Sequence, residues 1–78
     1  MQDEIKENNV KMYRESIGYT QDAFAKACGM NTATVGFTEN RIHAPGVSTK
    51  RKMFEALVKL GALNEDGKRL KIQDVFPM

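Results

Sequence analysis

The chain has 78 residues, 41% of them hydrophobic, and a net charge of +2 from twelve Lys or Arg and ten Asp or Glu. That suits one domain around one core and argues against wholesale disorder. No apolar run approaches the ~18 residues of a membrane span, the acidic opening MQDEIKENN is unlike a secretory signal, and the lone Cys28 cannot close an internal disulfide, so a reducing cytoplasm is the expected compartment.

In chain order, Val10, Tyr13, Arg14 and Ile17 lie at i, i+3, i+4 and i+7, a helical stripe that Gly18 ends. Arg14 on this stripe is expected to bury its stem and pair its charge with a carboxylate. Thr20 is a good N-cap for a second helix whose inward face is Phe24, Ala25 and Cys28, stopped by Gly29 in a left-handed conformation. Asn31 is the next N-cap and opens a third helix over 32–40. On a helical wheel Thr34, Val35 and Thr38 fall on one side, and Thr32, Ala33, Gly36 and Phe37 on the other. The first set is expected to pack on the second helix, with Met30 filling the bend.

Pro45 keeps the third helix from continuing. Ser48 or Thr49 is expected to cap a fourth helix with a stripe of Met53, Phe54, Leu57 and Leu60, ending at Gly61. Beyond it, Asn64-Glu65-Asp66-Gly67 reads as a turn. Arg69 to Ile72 alternates like a short strand, while Asp74-Val75-Phe76 suits a closing helical turn packed on the core. The expectation is one all-α domain of four to five helices, with its core over 5–61. Residues 62–78 form an extension, with a possible short β or irregular element, that supplies a dimer interface from Leu63, Leu70, Ile72, Val75 and Phe76.

Charge is unevenly spread. Residues 1–25 hold three cations against five carboxylates, whereas residues 41–59 hold five cations against Glu55 alone. The second half therefore suits an anionic partner, although a solvated helix face has the same composition. One His and one Cys in unrelated contexts, with no clustered carboxylates, phosphate-cradling glycine loop or metal-ligand spacing, point away from an enzyme and from any cofactor.

A tight glycine corner between two short helices, the second with an uncharged outer face, is what a helix-turn-helix requires. The run from Asn9 to Pro45, with V-K-x-Y-R-x-x-x-G-Y-T-Q-x-x-F-A-x-x-x-G-M-N-x-x-T-V-x-x-x-E-N-x-x-x-x-P, resembles the Cro and lambda-repressor (XRE-type) DNA-binding domains. The resemblance covers about half the chain and departs from the family's pattern at Thr38, where a bulky apolar residue is usual, and at Arg41, where Gly is. It implies a sequence-specific transcriptional regulator, such as a small phage-type repressor, bound to a pseudo-palindromic double-stranded DNA operator as a homodimer. A second regulatory protein is a further expected partner.

By the same resemblance, Gln21 bonds a phosphate, Thr32, Ala33, Gly36 and Phe37 face base edges, and Asn40 and Arg41 lie near the backbone of the second strand. His43 and Lys50 are candidate additions to the phosphate contacts. Methyls of Ala33 and Thr32 suit thymine methyls, and the Thr32 hydroxyl suits a base edge. Two residues keep alternatives: a slight helix rotation would bury Phe37, and Lys50-Arg51-Lys52 also reads as a solvated helix start. The rival to DNA binding is an antitoxin-like or coactivator-like module in which Phe37 and its small neighbours meet a protein.

Overall fold

The computed structural model describes residues 7–77; most of the acidic opening and the first two residues of the expected 5–61 core lie outside them. The chain forms five helices, α1 (Val10–Ser16), α2 (Gln21–Cys28), α3 (Thr32–Glu39), α4 (Val47–Lys59) and α5 (Ile72–Val75). Among the described residues there is no strand, only an isolated bridge between Leu63 and Arg69. No helix of the described residues is long and apolar enough to cross a membrane. The all-α expectation holds.

The helix ends follow one local rule. After α1, α2 and α4, a glycine in the left-handed region (Gly18, Gly29, Gly61) donates its N–H back into the last turn. The next residue donates to the carbonyl five positions earlier: Tyr19 to Arg14, Met30 to Ala25, Ala62 to Leu57. This reverses the chain while satisfying carbonyls that a helix end leaves open. The helix starts are less uniform. Thr20 Oγ1 accepts from the Ala23 amide at 3.1 Å and Asn31 Oδ1 from the Thr34 amide at 2.9 Å, as expected. α4 instead begins at Val47 with Gly46 as its N-cap and no side-chain cap. The Ser48 or Thr49 expectation is overturned because the extended Gly46 lets the helix start two or three residues earlier.

Val10, Phe24, Val35, Met53, Leu57 and Val75 make the centre of the core, with Tyr13, Ala25, Cys28, Ala56, Ala62, Leu70 and Phe76 around it. The segment after Gly61 is therefore integral. Asn64 Oδ1 accepts from the amides of Asp66 and Lys68, both at 2.9 Å, and holds the expected turn. The chain then returns to place α5 beside the start of α1. There the Asn9 amide donates to the Val75 carbonyl, and the Asn9 side chain to that of Asp74, each at 2.8 Å.

This corrects two expectations. The core does not stop at 61, and Leu70, Val75 and Phe76 are buried rather than offered to a second copy. Each buried side chain of this size contributes about 1.5–3 kcal/mol, so a chain cut after Gly61 would test stability before dimerisation. Of the five expected interface residues, Leu63 and Ile72 remain exposed. Of the strand expected over Arg69–Ile72 there is only the isolated bridge from Arg69 to Leu63, whereas the closing helical turn expected at Asp74-Val75-Phe76 is present as α5, with Val75 and Phe76 packed on the core.

Candidate nucleic-acid interface

α2 and α3 pack through Phe24, Ala25, Cys28 and Val35, with half-buried Met30 at the bend. The inward face of α3 is Val35, Thr38 and Glu39. Thr34, expected inward, is only half-buried, and its amide and hydroxyl both donate to the Asn31 cap. Thr38 is buried, its carbonyl accepting from Asn8 Nδ2 at 2.8 Å. With a threonine here the helix has not rotated to bury its neighbour: Phe37 is 45% exposed, its ring edge-on to His43 at 5.2 Å between centroids.

Glu39 is the residue that sequence reasoning missed. Its side chain has no exposed surface, and its carboxylate accepts from Arg14 Nε at 2.7 Å and Arg14 Nη2 at 3.0 Å. Arg14 Nη1 also donates to the Tyr19 carbonyl at 2.7 Å. The expected carboxylate partner of Arg14 thus comes from 25 residues away. The Glu39 hydrogen bond, ahead of the opposing effect of burial, pushes the Arg14 pKa above its ordinary range. Gln21 joins the cluster, its Nε2 donating to Glu39 Oε1 at 2.9 Å. The half-buried amide expected on a phosphate thus also links the first turn of α2 to the end of α3.

The outer face of α3 carries exposed Ala33 and Phe37 and half-buried Thr32 and Gly36. Thr32 is not a free hydroxyl: it donates to Asp22 Oδ1 at 2.7 Å, leaving its oxygen to accept. That bond first, and Lys26 at 3.6 Å second, hold the Asp22 pKa below the usual carboxylate range. A carboxylate thus stands beside the small-residue face, another feature the sequence pattern did not reveal. Gly36 has no positive φ. A Cβ built there would meet only Gln21 Oε1, at 3.8 Å, which is ordinary contact. The fold itself has room for alanine at this position.

The end of α3 repeats the chain-reversal pattern of the other helices with one substitution. Arg41 donates to Thr38 at 3.1 Å and Ile42 to Phe37 at 3.0 Å, but the left-handed position, φ 59°, is held by Arg41 instead of glycine. A side chain there costs about 1 kcal/mol. Arg41 is exposed, with Nη2 3.4 Å from the Asn8 carbonyl. Exposed Asn40 and His43 flank it. Lys50 lies apart from this group: it is half-buried, with Nζ 5.9 Å from the Phe76 ring centroid, so its charge is directed over α5.

No protein-family model matches the chain, and no curated protein or solved structure does.

Proposed function

We propose that the protein is a sequence-specific DNA-binding regulator of the lambda-repressor type, with α3 as the helix that enters the major groove. The observation that carries this reading is Gly36, in the middle of an eight-residue helix where the fold has room for a side chain. Glycine in such a position lowers helix stability by about 1 kcal/mol relative to alanine, and a groove that must receive the backbone closely gives it a use. Exposed Ala33 and Phe37 beside it suit thymine methyls and the sugar wall. Arg41 at the helix end suits a phosphate, as do the side chains of Asn40 and His43. Gln21, tied to Glu39, acts as a positioning residue whose second amide proton can still be offered outward.

On this reading Asp22 bears on specificity. A carboxylate at a groove edge repels phosphate and accepts from a cytosine amino group. The protein represses as a homodimer on a pseudo-palindromic site, placing two copies of α3 about 34 Å apart.

The test is fluorescence anisotropy with duplexes selected from a random library, at several salt concentrations. Affinity should fall steeply between ~50 and ~200 mM salt as counterions are released. Ala33→Glu, on an exposed site, should abolish binding without altering the circular dichroism spectrum. A salt-insensitive complex, or undiminished binding by Ala33→Glu, would favour a protein-interaction module.

A further inference from the structure

On the surface formed by the starts of α4 and α5, Val47, Ile72 and Phe76 line a groove together with Lys50 and Arg51. Val47 is 77% exposed and Ile72 39%, each the first residue of its helix, while Phe76 forms a buried floor under the Lys50 ammonium. No carboxylate lines the groove. The first turn of α4 has no acidic residue, and its amides have no side-chain cap, so the positive end of the helix adds to the two cations. Among the described residues neither Lys50 nor Arg51 forms an ion pair.

We propose that this groove binds an acidic, amphipathic peptide segment of a partner protein, an apolar side chain inserting between Val47 and Ile72 while its carboxylates meet Lys50 and Arg51. The groove's volume of about 200 Å³ is below the ~300–1,000 Å³ of small-molecule sites and suits one large side chain as an anchor. Charge chooses among macromolecules. A second copy joined by a two-fold axis would bring the same cation-rimmed patch to both sides of the contact, and DNA phosphates would leave the apolar walls unpaired. An acidic amphipathic segment satisfies both parts of the surface. The proposal does not rest on DNA binding by α3.

The probe is a fluorescein-labelled 16-residue amphipathic peptide with Leu and Phe on one helical face and Glu on the other, titrated with the full chain and read by anisotropy. Two controls are a scrambled peptide of the same composition and a version with Lys for every Glu. Saturable binding of the acidic peptide is expected, with at least ~10-fold weaker binding of both controls. Val47→Glu, Ile72→Glu and Arg51→Glu should each weaken binding by a similar ~10-fold. Val47 and Arg51 are exposed, so a folded spectrum for their variants separates a lost site from a lost fold. Equal binding of all three peptides, or no binding of any, would overturn the proposal. So would sedimentation of the free chain as a dimer that Val47→Glu dissociates, since the occupant would then be a second copy. DNA affinity of the Val47→Glu variant, measured alongside, reports on α3 separately.

Discussion

Gly36 and Arg41 each go against a local rule, in opposite directions. Glycine occupies a helix interior that tolerates alanine, and arginine occupies a left-handed position that three other helix ends give to glycine. Strain and lost helix propensity of this kind concentrate where a surface is used. Gly36→Ala should therefore raise thermal stability by about 1 kcal/mol, and Arg41→Gly by up to about 1 kcal/mol, while both weaken DNA binding. Thermal unfolding beside anisotropy checks this; stabilised variants with unchanged affinity would detach both residues from function.

Cys28 gives a pH prediction at the same scale. Burial pushes its thiol up to about 11, against ~8.5 for a free cysteine. The folded state thus holds the proton more tightly than the unfolded one. The resulting stability is fully present below the unfolded pKa and is lost as pH rises through that window. Urea melts between pH 8 and 11 should show stability falling more steeply for the wild type than for Cys28→Ala, and native Cys28 should resist alkylation near neutral pH.

Among the elements, α1, α2 and α3 are joined at one point by Arg14, Glu39, Gln21 and the Tyr19 carbonyl. Removing one partner of a buried pair leaves the other charge unmatched, at about 3–5 kcal/mol. A small domain has only ~5–15 kcal/mol of stability in total. Glu39→Ala should lower the chemical-denaturation midpoint accordingly; a loss under ~1 kcal/mol would mean the pair behaves as a solvated one.

Caps and glycine corners were legible in the sequence because they are local: Thr20, Asn31, Gly18, Gly29 and Gly61 act within a few residues of themselves. The wheel also placed Ala33 and Phe37 outward correctly. The partner of Arg14 was not legible, because a glutamate at a helix end reads as solvated until the fold brings it 2.7 Å from a guanidinium. The Gln21–Glu39 and Thr32–Asp22 bonds were hidden for the same reason. The start of α4 was misplaced because Ser48 and Thr49 carry a strong cap signal that the extended Gly46 pre-empted.

For the whole molecule, the tail after α4 closes the domain. Leu70, Val75 and Phe76 complete the core, and Asn9 ties the start of α1 to α5. Composition could not separate this closing role from a dimer interface, since both require apolar residues. The arrangement leaves two surfaces with different chemistry: the small-residue face of α3 beside Arg41, and the apolar groove rimmed by Lys50 and Arg51. The central claim is that the first of these meets DNA.

Amide chemical-shift mapping of the full chain, titrated with a duplex selected from a random library, tests it most directly. The account predicts the largest shifts over Thr32–Phe37 and Asn40–His43, with α5 unmoved. Shifts confined to the α4–α5 groove, or none on the outer face of α3 at saturation, would contradict it.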